Sequence, residues 1–178
     1  LMKETSLENY FHIFSAGTYE FVGAEGEVIK ITFTEADVKE IADNYNTALF
    51  ESNLHIGHPG AEEPEQPALA WIGRLKADGR RLLCSFSHIS DKAFEISKQK
   101  HYKKCSVELN RADLIAKGMP GKYLTGLGFT NYPRVTDLPP FEFSEKAKVK
   151  NKEKIVCLVD AIDLSEVIEP QQNFSNQN

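Results

Sequence analysis

The sequence has little cysteine and no long hydrophobic run. Its 178 residues include three cysteines, Cys84, Cys105 and Cys157, which is an odd number at irregular spacing. This pattern is neither a disulfide framework nor a zinc-binding motif, and it predicts reduced thiols in a cytoplasmic protein. No apolar run is long enough to cross a bilayer, and the polar start of the chain predicts no signal peptide. We therefore expect neither a disulfide-stabilised nor a membrane-spanning protein.

An excess of basic charge is also lacking. The 21 Lys and Arg residues are outnumbered by 26 Asp and Glu residues, which gives a net charge of −5. This charge argues against nucleic acid as a main partner, because binding phosphates needs a basic surface. The length and the hydrophobic content of 41% suit one domain with its own core. We place this domain at residues 8–143 and interpret residues 144–178, which begin lysine-rich, as a linker and tail or one extra strand.

Local patterns predict short strands and two helices. Thr34 and Asp37 form a capping box ahead of residues with helical apolar spacing, and Ser90 or Asp91 can cap a second helix. The Asp78-Gly79 pair predicts a hairpin. Apolar, β-branched stretches predict strands at residues 11–17, 28–33, 70–76, 80–86, 103–109 and 122–129. Six or seven strands with two helices predict a small barrel or rolled sheet of class α+β.

Ser106 is the candidate nucleophile and His58 its candidate base. A serine hydroxyl is a poor nucleophile at neutral pH and needs an adjacent base, for which an imidazole suits. The base in turn needs a third group that fixes its tautomer. Cys105 is the competing nucleophile, but neighbouring residues of a strand face opposite ways. If Ser106 faces the site, Cys105 therefore faces away.

A metal-dependent hydrolase is a further alternative, built on His55 and His58. Glycine and proline in this stretch rule out a helix, and alternation along a strand would put the two rings on opposite faces. Further ligands would have to come from the acidic loop with Glu62, Glu63 and Glu65. We therefore predict no metal site.

Five segments in order resemble the Mu-like prophage I protein family, the phage proteases that mature the capsid. The segments lie at residues 14–18, 31–37, 56–59, 70–75 and 102–106. Order and spacing agree over residues 14–143. That family is similar in turn to the prohead proteases of other tailed phages and to herpesvirus assemblin. The resemblance implies a closed, assemblin-like β-barrel, α+β but mostly β, with two or three peripheral helices.

The resemblance also implies a function. Ser106 would be the nucleophile and His58 the general base of a serine endopeptidase that cleaves scaffold and head proteins, and itself, inside assembling proheads in the host cytoplasm. It implies no cofactor and no nucleic-acid or membrane partner. A homodimer is expected, because assemblin-like enzymes tend to be activated by dimerisation. Members often continue into a scaffolding region, of which residues 144–178 would be the start.

The sequence departs from the family pattern at the third catalytic residue. Related proteases carry a histidine or an acid on the strand where this sequence has Thr125 or Gly126. Asn131 and Asp137 lie nearby, and Arg134 falls roughly where assemblin has an oxyanion-stabilising arginine. We therefore expect a Ser/His dyad or an incomplete triad, with Thr125, Asn131 and Arg134 as accessory candidates. The alternative is a catalytically inactive capsid-assembly or scaffold-binding protein with the same barrel.

Overall fold

The computed structural model describes residues 9–22, 25–60, 63–110 and 118–143. The elements within these ranges are β1 (Phe11–Ser15), β2 (Gly17–Val22), β3 (Val28–Phe33), α1 (Glu35–Asn44), β4 (Asn53–Ile56), β5 (Ala70–Asp78), β6 (Arg81–Ile89), α2 (Asp91–Lys98), β7 (Lys104–Leu109) and β8 (Leu124–Thr130). The described part thus has eight strands, against the six or seven predicted. Strands β1 and β2 belong to different sheets although only Ala16 separates them.

Six strands form one sheet in the order β1-β6-β5-β4-β8-β7, and β2 pairs with β3 in a separate hairpin. All neighbours in the large sheet are antiparallel except β4 and β8, which are parallel. Its two edges, β1 and β7, approach each other without pairing in the described residues. The protein is therefore mostly β, with a nearly closed, barrel-like sheet and two helices.

Aromatic side chains fill the gap between the two edges. The ring of Phe11 on β1 meets Phe141 and Phe143 edge to face, with centroids 5.6 and 5.4 Å apart. The backbone N–H of Phe141 donates to the carbonyl oxygen of Lys103, directly before β7, at 3.0 Å. The segment after β8 thus covers the opening of the barrel with buried rings, which exclude water without a strand ladder.

Both helices begin where the capping signals predict. The Thr34 hydroxyl accepts from the N–H of Asp37 at 3.2 Å, and the Asp37 carboxylate accepts from the N–H of Thr34 at 2.6 Å. This reciprocal box starts α1. At α2 the Ser90 hydroxyl accepts from the N–H of Ala93 at 3.2 Å. The predicted cap at Thr34 is confirmed, and of the two candidates for the second helix Ser90 is the cap.

The predicted hairpin is confirmed as well. β5 and β6 pair up to Asp78 and Arg81, and Gly79 in the turn has a φ of +57°, which glycine adopts without steric penalty. No helix in the described ranges is long and apolar enough to span a bilayer. The linker and tail, or extra strand, predicted at residues 144–178 lie outside the described ranges.

The barrel interior holds the apolar side chains of alternate strand residues. Fully buried examples are Ile13, Leu54, Ile72, Leu82, Leu127 and Phe129. Along β7 the same alternation turns Cys105 and Val107 inward, because they pair with Phe129 and Leu127. Ser106, which lies between them, is therefore on the outer face of the sheet.

Candidate active site

Ser106 and Cys105 face opposite sides of β7, as predicted. Ser106 is partly exposed and pairs with Gly128 of β8, whereas Cys105 is only 1% exposed. Burial raises the pKa of the Cys105 thiol to about 12. A buried, protonated thiol is a poor nucleophile, since the thiolate is the reactive form. Of the two adjacent candidates, only Ser106 is available on the outer face.

His58 lies on the same outer face as Ser106. The chain leaves β4 through Gly57, whose φ of +66° turns the backbone across β8. A Cβ atom built on Gly128 would collide with the Gly57 carbonyl oxygen and would lie 3.4 Å from Cε1 of His58. Cross-strand partners share one face of a sheet, so the imidazole stands over the position beside Ser106.

No hydrogen bond joins the Ser106 hydroxyl to His58 among the described residues. Catalytic hydrogen bonds are often long without substrate and tighten in the complex. The placement of Ser106 and His58 on one face of the sheet is therefore compatible with a catalytic pair.

Glu108 is the third member of the site, and the sequence reasoning missed it. It follows Ser106 by two residues, so both side chains leave the same face of β7. Its Oε1 accepts from Nδ1 of His58 at 2.8 Å and from Nε2 of His55 at 2.9 Å. An ionised carboxylate can only accept hydrogen bonds, so Nδ1 of His58 and Nε2 of His55 each carry a proton. In a neutral His58 ring this leaves Nε2 as the basic nitrogen, which is the tautomer that a general base needs.

Two glycines of β8 make room for these contacts, and we call Gly126 and Gly128 the glycine floor. A Cβ at Gly126 would lie 2.6 Å from Oε2 of Glu108 and 3.1 Å from Cε1 of His55. Because neither residue has a side chain, the Glu108 carboxylate reaches from β7 across β8 to the histidines at β4.

The Glu108 carboxylate is ionised although it is largely enclosed. Burial raises the pKa of Glu108, but the hydrogen bonds and charges of His55 and His58 outweigh it and lower the pKa to about 2. The side chains of Glu108 and His55 are 13% and 7% exposed, and that of His58 is 43% exposed. Only His58 of the two histidines can therefore meet a substrate.

The prediction that His55 and His58 face opposite ways is wrong. Their ring centroids lie 6.4 Å apart, and both rings contact the same oxygen of Glu108. Alternation holds only within a strand, and β4 ends at Ile56, so the left-handed Gly57 resets the direction of His58. One ligand atom from each of His55, His58 and Glu108 lies within 4.8 Å of the others, a spacing that suits a metal ion. The carboxylate comes from β7 and not from the acidic loop.

Thr125 supports the site through the backbone. It is the extra residue of a β-bulge in β8, opposite the step from Glu108 to Leu109. Its hydroxyl donates to the backbone carbonyl oxygen of Glu108 at 3.1 Å. Thr125 therefore helps to fix the strand position of Glu108.

The other accessory candidates are engaged elsewhere. Asn131 accepts from the N–H of Lys103 at 3.2 Å and so anchors the approach to β7. The guanidinium of Arg134 lies 4.6 Å from the ring centroid of Phe21 on the separate hairpin. Neither forms a hydrogen bond or ion pair with His58 within the described ranges. The charge of Asp137 acts on the pKa values of His12 and Tyr19.

Two features of the sequence pointed to Glu108. Its spacing of two residues from Ser106 puts both on one strand face, and Gly126 and Gly128 have the same spacing on the next strand. The missing information was the register, which pairs Glu108 with Gly126 and Ser106 with Gly128.

Comparisons of the chain with protein-family models, with curated proteins and with solved structures found no match.

Proposed function

We propose that the protein is a serine endopeptidase with Ser106 as nucleophile, His58 as general base and Glu108 as the residue that orients His58. The observation that carries the proposal is the 2.8 Å hydrogen bond from Nδ1 of His58 to Glu108, on the strand face of Ser106. In a serine–histidine–acid triad the acid holds Nδ1, so that Nε2 can take the serine proton.

The proposed reaction uses these three groups in sequence. The Ser106 hydroxyl oxygen attacks the scissile carbonyl carbon while Nε2 of His58 accepts its proton, and the resulting imidazolium then protonates the leaving amine. In the second half of the reaction His58 takes a proton from a water molecule, whose oxygen attacks the acyl-enzyme. The acid product then leaves, and the proton returns to Ser106. Glu108, whose pKa is lowered to about 2, stays ionised and stabilises the imidazolium. Backbone N–H groups would stabilise the oxyanion.

Scaffold and head proteins of a phage are the proposed substrates, within the maturing capsid. The support is the ordered resemblance of five segments to the Mu-like prophage I protein family, together with a mostly β, barrel-like fold. The alternative of an inactive assembly protein depended on a missing third residue. Glu108 supplies an acid beside His58, so the active enzyme is favoured.

The test is processing of a co-expressed scaffold protein by the wild type, Ser106→Ala and Cys105→Ala. Removing the nucleophile should lower turnover by about 10⁴-fold or more. Cys105→Ala is the matched control on the adjacent, inward-facing position and should keep cleaving, with its folding checked by thermal melting. A fluorophosphonate probe should label the wild type and not Ser106→Ala. Cleavage by Ser106→Ala, or its loss in a folded Cys105→Ala, would contradict the proposal.

A further inference from the structure

The two carboxylate oxygens of Glu108 differ in their hydrogen bonding. Oε1 accepts two imidazole N–H groups, whereas Oε2 is buried and has no hydrogen-bond partner among the described residues. Buried carboxylate oxygens normally have partners, since an unpaired one loses its hydration without compensation. The serine mechanism needs only the contact between His58 and Oε1, so it explains neither His55 nor Oε2.

Two imidazoles and one carboxylate are a ligand set of their own. We propose that Nε2 of His55, Nδ1 of His58 and the carboxylate of Glu108 bind a divalent transition-metal ion of the zinc class. Imidazole nitrogens suit zinc and its neighbours, whereas calcium and magnesium prefer oxygen ligands throughout. Oε2 would gain a partner if the carboxylate bound through both oxygens.

The three ligand atoms lie close enough together for such an ion to bind once their side chains adjust. Each nitrogen lies 2.8–2.9 Å from Oε1, and the ligand atoms lie within 4.8 Å of one another. Ligand atoms of a tetrahedral zinc site lie about 3.3 Å apart, because the bonds are about 2.0–2.1 Å long. The carboxylate therefore has to move away by about half an ångström, and the two imidazole nitrogens, which lie within 4.8 Å of each other, have to approach to about 3.3 Å. The 43% exposure of His58 leaves a side of the site open for a further ligand.

Metal binding and serine chemistry exclude each other at His58, a consequence that rests on the proposed function. When a neutral imidazole coordinates a metal through Nδ1, its proton sits on Nε2. Such a ring cannot accept the proton of Ser106, and Glu108 no longer holds its Nδ1–H. The metal ion therefore acts as a reversible inhibitor of the protease.

The binding site is tested by titrating Zn²⁺ into the chelator-treated full chain with isothermal calorimetry. The wild type and Ser106→Ala should each bind one ion with equal affinity, because the serine is not a ligand. His55→Gln and Glu108→Gln should weaken binding by more than the 10–100-fold typical for the loss of an outer-shell partner. His88→Gln, an exposed histidine on β6, is the matched control and should bind as the wild type does.

Thermal melting without metal identifies any variant that fails to fold, and the two ligand variants serve as independent tests. The metal site is overturned if the wild type binds no stoichiometric Zn²⁺. It is also overturned if folded His55→Gln and Glu108→Gln bind as tightly as His88→Gln does.

The inhibition is tested separately by scaffold cleavage with Zn²⁺ or with chelator. Zn²⁺ should slow the wild type, whereas His55→Gln should be far less sensitive relative to its own metal-free rate. Stoichiometric binding without any cleavage in either condition would refute the proposed protease and leave the metal site standing. Cleavage that Zn²⁺ accelerates, and that survives in Ser106→Ala, would overturn the inhibitory role.

Discussion

Glu108 and Asp37 have the same pKa, about 2, but their surroundings are built in different ways. The pKa of Asp37 is lowered first by the backbone N–H of Thr34, only three residues away, and then by the ammonium of Lys122. Burial opposes ionisation of Glu108, and two histidines 50 and 53 residues away overcome it. The pKa of Asp37 is therefore lowered mainly by a residue close in sequence, and that of Glu108 by residues that only the tertiary fold brings near.

The carboxylates of Asp37 and Glu108 also differ in how many of their oxygens have partners. Both oxygens of Asp37 have partners: Oδ1 lies 3.0 Å from Nζ of Lys122, and Oδ2 accepts from the N–H of Thr34 at 2.6 Å. Only one oxygen of Glu108 has a hydrogen-bond partner in the described part of the chain. The Asp37 cluster is complete as a helix cap, whereas the Glu108 cluster keeps capacity for another ligand. This difference is what points to function at β7.

The largest effect is expected from Glu108→Gln, which keeps the shape of the side chain and removes its charge. The amide no longer enforces the Nδ1–H tautomer of His58 or stabilises the imidazolium. We expect kcat for scaffold cleavage to fall by roughly 10³–10⁴-fold, in line with acid-to-amide changes in other triads. Equal kcat in the variant and the wild type, both folded by circular dichroism, would remove Glu108 from the mechanism.

Gly128→Ala should break the glycine floor itself. Its Cβ would meet the backbone carbonyl of Gly57, which cannot swing aside as a side chain would. We expect the free energy of unfolding to fall by about 2–3 kcal/mol, as measured by urea denaturation. Gly60→Ala is the matched control, because its Cβ would lie 3.7 Å from the nearest neighbour. If both variants were equally stable, the close crossing of Gly57 over β8 would be refuted.

In the Asp37 cluster, Thr34→Ala removes the N-cap of α1. The N–H of Asp37 loses its acceptor, and we expect a loss of about 1 kcal/mol in the free energy of unfolding. Thr47→Ala, in the exposed turn after α1, should change stability by less than about 0.5 kcal/mol. Scaffold cleavage should continue in Thr34→Ala, which separates the cap from the Glu108 site.

The smallest effect is expected from the pH dependence of Asp37. Its pKa falls from 3.8 to about 2 on folding, so the unfolded chain binds the proton more tightly. The stabilisation is present above about pH 4 and is lost as the pH falls through about 2. The stability difference between the wild type and Asp37→Asn should therefore shrink over that range in denaturation at several pH values. A difference that stays constant would show that Asp37 is not held in its charged form by the cap.

Much of the secondary structure follows from short stretches of sequence. The cap at Thr34 and the turn at Gly79 depend on contacts within a few residues and were predicted correctly, and the cap at Ser90 was one of two predicted candidates. The opposite facing of Cys105 and Ser106 also follows from alternation along one strand. Local rules failed at His58, where the single positive φ of Gly57 reverses the direction that alternation predicts.

By itself the sequence determined the element types and the helix starts, because each depends on neighbouring residues, whereas the candidate pair of Ser106 and His58 came from the ordered resemblance of five segments to a protease family. Only the tertiary structure decided that β4 runs parallel to β8 and that β7 pairs with β8 in the register joining Glu108 to Gly126. Strand order and register arise from packing the whole barrel, which no local pattern encodes. That packing brings Glu108 to His55 and His58 and turns a serine and a histidine into a candidate site.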